Sequence, residues 1–116
     1  MTSVQFFRSG PRIVGFKAKG HTGYAPAGQD IVCAGVSTLV QTTVLGLQKL
    51  AGLELEIQQR QKDGLFYCRI STNVEEKKRE QADLIFKLMY LGLQQIAQDY
   101  RKHVQVSVKE VQNDEL

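Results

Sequence analysis

The sequence has few cysteines, few prolines and no tryptophan. Its 116 residues include two Cys and two Pro, with 10 Gly that follow no periodic repeat. Two cysteines without a Cys-x-x-Cys pair exclude a disulfide scaffold and argue against disulfide exchange. The glycine pattern excludes a fibrous chain. With 42% hydrophobic residues, the sequence predicts one globular domain over residues 1–116.

The sequence also lacks an apolar run typical of a targeting signal or a membrane anchor. The first 20 residues contain Arg8, Arg12, Lys17 and Lys19, so we expect no cleaved secretion signal. The longest uncharged stretch, residues 31–48, contains several Ser, Thr and Gln residues and two glycines. This composition predicts an interior helix rather than a membrane span. We therefore expect a cytoplasmic protein with reduced thiols and no membrane partner.

The sequence also has little excess of positive over negative charge. The chain has 15 Lys and Arg residues against 12 Asp and Glu, a net charge of +3. Its longest basic clusters, residues 77–79 and 101–103, have acidic neighbours or lie at a predicted helix end. This balance permits contact with RNA but requires no direct nucleic-acid binding.

Metal and phosphate sites are not expected either. Cys33, Cys68, His21 and His103 show no paired ligand spacing, so we expect no metal. The glycines at 20, 23 and 28 lack the Gly-Lys-Ser/Thr ending of a phosphate loop, and no cofactor is expected.

The order of local patterns predicts an α+β fold. Gly10-Pro11 and Asp63-Gly64 are strong turn signals, and each separates two β-prone runs. A helix is predicted to open at Asp30 and to stop at Gly52. A second is predicted from Glu75 to Lys102, with Asn73 or Thr72 as its cap and Glu75 or Glu76 completing a capping box. A last strand follows. The predicted order is β-β-α-β-β-α-β, with a mostly antiparallel sheet and both helices on one face.

Cys33 is the residue whose position most suggests chemistry. It follows the predicted helix start at Asp30 by three residues, where unpaired amides and the helix dipole favour an anion. His21 lies twelve residues earlier, in the Gly-rich loop that leads into the same helix. A histidine within reach would take the thiol proton and leave a nucleophilic thiolate. Alternatively, Cys33 is a small buried residue and His21 an ordinary loop residue.

Two other residues near this pattern have simpler interpretations. Asp30 is either the N-cap of the helix or the group that orients His21. Cys68 alternates with Phe66 and Ile70 on one side of a predicted strand, which indicates a core position.

The segment from Gly20 to Ser37 resembles the signature of a known family. It reads Gly-His-Thr-Gly-Tyr-Ala over residues 20–25 and Gly-Gln-Asp-Ile-Val-Cys-Ala-Gly-Val-Ser over residues 28–37. This resembles the ribosomal-processing cysteine proteases, the YsxB-like family, whose pattern is Gly-His, a small-residue loop, then Gly-x-Asp-x-Val-Cys-Ala-Ala-Val-Ser. Thr22 and Gly35 depart from the two alanines that are usual there, and neither is a reactive residue.

The resemblance implies a cysteine endopeptidase. Such an enzyme removes the N-terminal extension of bacterial large-subunit ribosomal protein twenty-seven, at a sequence that resembles Leu-Gln-Phe-Phe-Ala. Cys33 would be the nucleophile and His21 the general base and acid, through an acyl-enzyme. The loop that would contact the peptide comprises Gly20, Thr22, Gly23, Tyr24, Ala25, Ala27 and Gly28.

The resemblance also implies a homodimer. A second apolar stripe on the second predicted helix, Leu84, Leu88 and Leu91, would form its interface or belong to the core. The Gln5-Phe6-Phe7 segment itself resembles the recognised peptide, although its simpler interpretation is the first strand. Two other functions stay open: a non-enzymatic module associated with the ribosome or RNA, and a redox sensor that uses Cys33.

Overall fold

The chain forms five strands and two helices. The computed structural model describes residues 1–20 and 27–112, with side chains described for residues 1–20 and 31–112. The elements are β1 (Thr2–Ser9), β2 (Arg12–Lys19), α1 (Ala27–Lys49), β3 (Leu55–Arg60), β4 (Leu65–Ile70), α2 (Glu76–Asp99) and β5 (Val104–Glu110). The predicted order of elements is therefore confirmed.

The strands form one mixed sheet in the order β3-β4-β2-β1-β5. Three of its pairings are antiparallel, and β1 and β5 pair in parallel from Thr2 opposite Val104 to Arg8 opposite Glu110. A parallel pair needs a long crossover connection, and α2 lies on the chain path that leads to β5. The prediction of a mostly antiparallel sheet is confirmed.

Both helices cover the same face of this sheet. They run antiparallel to each other: Gly35 of α1 lies near Ile96 of α2, whereas Gly46 lies near Ile85 at the opposite end of the pair. A Cβ built on Gly92 would lie 3.1 Å from both methyl carbons of Leu39, so this glycine permits the close approach of the helices. The other face of the sheet is covered by neither helix.

The core lies between the sheet and the helices. Phe16 of β2 is fully buried, and its ring centroid lies 6.1 Å from that of Phe6, 6.0 Å from Phe66 and 6.1 Å from Phe86 of α2. From α1, a stripe at helical spacing enters the same core. It consists of Val32, Val36, Val40, Thr43 and Leu47. Since these residues recur every three or four positions, they lie on one side of the helix.

Helix α1 differs from the prediction in where it starts. It begins at Ala27, so Ala27 and Gly28 belong to the helix rather than to the preceding loop, and Asp30 is its fourth residue rather than its N-cap. Glycine costs only about 0.5–1 kcal/mol within a helix, which packing of the long apolar stripe readily outweighs. Cys33 is consequently the seventh residue of α1, in its second turn.

Two further expectations for the helices are wrong. The N-cap of α2 is Glu75, and it makes no side-chain cap hydrogen bond, so the capping box predicted from Thr72 or Asn73 does not form. Helix α1 is also less enclosed than the predicted interior helix, because its side chains Ile31 and Leu45 are exposed among the described residues. By length and composition alone, residues 31–49 of α1 could span a membrane. The helix here packs on α2 and the sheet as the core helix of an α+β domain.

Candidate active site

Cys33 faces a groove between α1 and the sheet. Its side chain is partly exposed, and the groove has a volume of about 380 Å³. The described residues that line this groove come from α1, from the ends of β1 and β2, and from the β3–β4 hairpin. They are Thr2, Ala18, Lys19, Gly20, Cys33, Val36, Ser37, Val40, Gln41, Gln59, Gly64 and Phe66. The groove thus joins the second turn of α1 to three separate segments of the sheet.

The groove combines an apolar floor with polar walls. Val36 and Val40 of α1 face Ala18 and Phe66 of the sheet, and these four side chains can contact an apolar peptide side chain. On the α1 side, Gln41 donates a hydrogen bond from Nε2 to the Ser37 Oγ, 3.1 Å away. An apolar site with a few hydrogen-bonding groups is typical of small-ligand and peptide recognition.

One end of the groove is built from closely packed backbone. Gly20 directly follows β2 with φ at +140°, and a Cβ there would overlap the carbonyl oxygen of Met1 and lie 2.9 Å from the Thr2 Cα. Gly64 has φ at +62°, and a Cβ there would overlap the carbonyl oxygen of Gly20. Only glycine fits either position, because any Cβ would displace backbone. The first residues of the chain, the end of β2 and the β3–β4 turn are therefore held together at this point.

The described residues include only part of the predicted site. Cys33 and Gly20 both line the groove. His21, Thr22, Gly23, Tyr24 and Ala25 lie outside the described residues, as does the side chain of Asp30. The pairing of His21 with Cys33 stays a prediction. So does the alternative that Asp30 orients His21, whereas the capping alternative does not fit a helix that starts at Ala27.

The position of Cys33 within α1 also affects how closely the helix N-terminus and its dipole approach the thiol. The four residues whose amides lack an intrahelical partner are the first four of a helix, and Cys33 is the seventh residue of α1. The helix dipole acts mainly within the first turn, and Cys33 lies in the second turn of α1.

Sequence reasoning missed several residues of the groove. Ser37 and Gln41 follow Cys33 at intervals of four residues, so helical periodicity places them on the same side of α1 and could have found them. Gln59 and Phe66 come from the β3–β4 hairpin, and no local signal connects them to Cys33. Their place depends on how the hairpin pairs with β2, which is a tertiary property.

The second cysteine has the structural position that its pattern predicted. Cys68 is fully buried between β2 and β3 on the helix-covered face, and burial raises the pKa of its thiol to about 12. Neither Cys33 nor Cys68 forms a disulfide. Within residues 1–20 and 27–112 no group of His, Cys, Asp and Glu side chains could hold a metal ion.

The Gln5-Phe6-Phe7 segment lies in β1. Phe6 is fully buried and Phe7 is 6% exposed, so neither ring is accessible to the groove of its own chain. The similarity of this segment to a cleaved peptide is therefore explained by its role as the first strand.

Comparison with known proteins identifies the family. The sequence model described as cysteine protease Prp matches residues 1–105. The chain belongs to the Prp family. It is a cysteine protease. Its curated relatives include the Ribosomal processing cysteine protease Prp of Bacillus subtilis, 33% identical over 95 residues that cover 82% of this chain and 85% of the relative. The enzyme of the same name from Staphylococcus aureus is 31% identical over 91 residues, which cover 78% of this chain and 81% of the relative.

Solved structures share the same fold. SMU.848 from Streptococcus mutans has a TM-score of 0.84 at 28% identity, over 96% of each chain. The essential ribosomal processing protease Prp from S. aureus, solved in complex with a substrate peptide, has a TM-score of 0.80 at 24% identity. That alignment covers 94% of this chain and all of the other. The α+β architecture is therefore that of the Prp proteases.

Proposed function

We propose that this protease removes the N-terminal extension of bacterial large-subunit ribosomal protein twenty-seven in the cytoplasm, using Cys33 as nucleophile and His21 as general base and acid. The observation that carries the proposal is the position of Cys33. Of the two thiols, it is the one that lines a groove, and it lies within the Gly-His to Val-Cys signature of the family. The relatives from B. subtilis and S. aureus are named ribosomal processing proteases, which supports this substrate class.

The chemistry follows the usual course of a thiol peptidase. His21 takes the proton of the Cys33 thiol, and the thiolate attacks the carbonyl carbon of the scissile bond. The tetrahedral intermediate collapses, the C–N bond breaks, and His21 gives its proton to the leaving amine. Water, deprotonated by His21, then attacks the thioester. Collapse of the second intermediate releases the carboxylate product, and the proton returns to the Cys33 sulfur.

The groove suits the proposed cleavage sequence. The floor formed by Ala18, Val36, Val40 and Phe66 can take an aromatic side chain, and the recognised peptide of the family has two adjacent phenylalanines. The amides of Gln41 and Gln59 on the walls can donate hydrogen bonds to peptide carbonyls. The loop of Gly20, Thr22, Gly23, Tyr24 and Ala25 would supply the remaining contacts, next to the start of α1 at Ala27 and Gly28.

A homodimer is part of this proposal. Leu84, Leu88 and Leu91 of α2 are 71%, 70% and 62% exposed. Leu45 of α1 and Leu50, just after α1, are exposed as well. An apolar surface of this kind is typical of an interface rather than of a monomer surface. Sedimentation measurements should give the mass of two chains, and Leu88→Asp should shift the population to monomers.

A peptide assay tests the cleavage reaction. Purified protein is mixed with a peptide that carries the Leu-Gln-Phe-Phe-Ala sequence, and the products are identified by mass. We expect Cys33→Ala and His21→Ala to lose about 10³-fold or more in kcat/KM, since both groups act directly in the chemical step.

Cys68→Ala is the matched control, because it also removes a cysteine sulfur, but from the core rather than from the groove. It should cleave within several-fold of the wild type at a temperature where circular dichroism shows it folded. Equal cleavage by wild type and Cys33→Ala, or an intact peptide with both, would refute the assignment.

A further inference from the structure

We propose that the open face of the sheet, the face that neither helix covers, binds single-stranded RNA. This surface, called here the open face, is defined by the strand positions that alternate with the core residues. Its members are Ser3, Gln5 and Phe7 of β1, Gly15, Lys17 and Lys19 of β2, Glu56, Gln58 and Arg60 of β3, Leu65, Tyr67 and Arg69 of β4, and Gln105, Ser107 and Lys109 of β5. This binding activity would be separate from peptide cleavage.

The register of the sheet places these residues in rows. One row runs Glu56, Arg69, Gly15, Phe7 and Lys109 across all five strands. The next row runs Gln58, Tyr67, Lys17, Gln5 and Ser107. Side chains of one row point to the same side of the sheet, because alternate residues of a strand face opposite sides. The rings of Phe7 and Tyr67, 6.2 Å apart, show that adjacent rows also touch.

The positive charge of the protein is concentrated on the open face. It carries five basic residues and one acidic residue. The whole chain has 15 basic and 12 acidic residues, so the rest of the sequence holds ten basic and eleven acidic residues. The net charge of +3 is therefore the sum of +4 on the open face and −1 on the rest of the chain. Such a face attracts a polyanion and steers its approach.

Three of these cations are available to a ligand. Lys17, Lys19 and Lys109 are exposed, and none forms an ion pair with another residue in the described part of the chain. The two arginines are already engaged. Arg60 pairs with Asp63 at 2.9 Å, and the Arg69 Nε donates to the carbonyl oxygen of Ile70 at 3.1 Å. The lysines are consequently the groups expected to neutralise phosphates.

The open face is also largely polar, and two of its larger side chains do not protrude. A Cβ on Gly15 would lie 2.6 Å from the Cys68 carbonyl oxygen and 2.9 Å from the Arg69 Cβ, so the missing side chain gives Arg69 room within the sheet surface. Arg69 is 7% exposed and Phe7 is 6% exposed, so neither protrudes. Glutamines from three strands and the half-buried Tyr67 complete the surface with hydrogen-bonding groups and an aromatic ring.

These properties favour RNA over an acidic protein as the ligand. Among the described residues, the large apolar side chains that are exposed lie on the helices or directly after them, at the chain start, or at helix-side positions of the edge strands. None belongs to the open face. A protein partner needs a buried apolar or aromatic anchor, whereas single-stranded RNA is held by cations, amide groups and a stacking ring. Lys19 also borders the groove of Cys33, so RNA on the open face would lie at the rim of the groove without filling it.

The test compares two triple variants with equal charge. The open-face variant combines Lys17→Gln, Lys19→Gln and Lys109→Gln. The control variant combines Lys77→Gln, Arg101→Gln and Lys102→Gln, which are exposed residues of the two basic clusters outside the sheet. Both variants change the net charge by the same amount. Binding to a fluorescein-labelled 20-nucleotide RNA of mixed A and U sequence is measured by anisotropy between 25 and 200 mM KCl.

We expect the open-face variant to bind at least tenfold more weakly than the control variant at 50 mM KCl. Each phosphate contact contributes about 0.7 to the salt slope for single strands, so the slope should fall by about 2 in the open-face variant. Equal weakening of both variants would overturn the proposal, because it would show that net charge alone matters. No binding by the wild type, or equally tight binding to polyglutamate or to phosphatidylserine vesicles, would overturn it as well.

Discussion

The two cysteines of this protease lie in different surroundings, Cys68 in the core and Cys33 at a groove. Cys68 lies on the sheet strand β4, which has β2 and β3 on either side, and it is fully buried. Cys33 lies near one end of α1, partly exposed, beside a groove. A core position between two paired strands shields a thiol from solvent and bases. A position near the end of a helix that borders a groove leaves it accessible to a substrate and to a neighbouring base.

Thiol modification gives the largest expected contrast between the two cysteines. Burial raises the pKa of the Cys68 thiol to about 12, so at pH 8 about one molecule in 10⁴ has the thiolate, and the side chain is also inaccessible. We expect iodoacetamide to modify Cys33 at least 10³-fold faster than Cys68 in the native protein. Since its pKa is raised, Cys68 should stay unmodified as the pH rises from 7 to 10. Peptide mass mapping after quenching measures both rates.

The control for this experiment is the unfolded protein. In 6 M guanidinium chloride the two thiols should react at rates within about threefold of each other, because the environment that separates them is gone. Fast modification of Cys68 in the native state would contradict the core assignment and indicate that β4 opens readily.

Replacing Phe16 or Phe66 with Ala should distinguish a core position from a groove position by the loss in free energy of unfolding. Phe16 is fully buried among three other phenylalanines, so Phe16→Ala should lower the free energy of unfolding by about 3–5 kcal/mol. Phe66 stacks on Phe16, yet it is only partly buried and also lines the groove. Phe66→Ala should therefore cost less stability, about 1–3 kcal/mol, but should raise KM for the peptide.

Urea unfolding followed by circular dichroism gives the two free energies, and steady-state cleavage gives KM. The order of the two losses is the discriminating result. If Phe66→Ala destabilised the fold as much as Phe16→Ala and left KM unchanged, Phe66 would belong to the core and not to the groove.

The part of the fold that the sequence predicts is the part that depends on local sequence patterns. The Gly10-Pro11 and Asp63-Gly64 turns define two hairpins, and the helical spacing of apolar residues defines both helices, so the order of elements follows from short segments. The parallel pairing of β5 with β1 has no such local signal. The start of α1 at Ala27 was missed because Gly28 reads locally as a loop residue, whereas the packed stripe of the helix decides its length.

The sequence suggests a site only through residues that are close together along the chain. Cys33 and His21 belong to one segment, and their pattern is sufficient to suggest their chemistry. Gln59 and Phe66 reach the groove from a hairpin about thirty residues beyond Cys33, which depends on the strand register. The basic open face is invisible for the same reason, because its lysines alternate with buried residues on strands that are far apart in sequence.

Two turn glycines give the smallest expected contrast between the groove and the rest of the sheet. Gly10 in the β1–β2 turn and Gly64 in the β3–β4 turn have nearly equal φ values, +59° and +62°. Alanine is strained at either position, by about 1–2 kcal/mol. A Cβ on Gly10 would have no atom within 4 Å, whereas one on Gly64 would overlap the Gly20 carbonyl oxygen at the end of the groove. Gly10→Ala should thus cost only the strain, and Gly64→Ala should cost about 1 kcal/mol more.

Activity makes this last comparison sharper than stability alone. At a temperature where both variants are folded, Gly10→Ala should keep the wild-type kcat/KM, because its turn makes no contact with the groove. Gly64→Ala should lose activity beyond its loss of folded protein, since its Cβ displaces Gly20, which lines the groove with Cys33. Equal stability and equal activity of the two variants would mean that the end of the groove tolerates the displacement of its backbone. The close packing of Gly64 on Gly20 would then serve neither the fold nor the reaction.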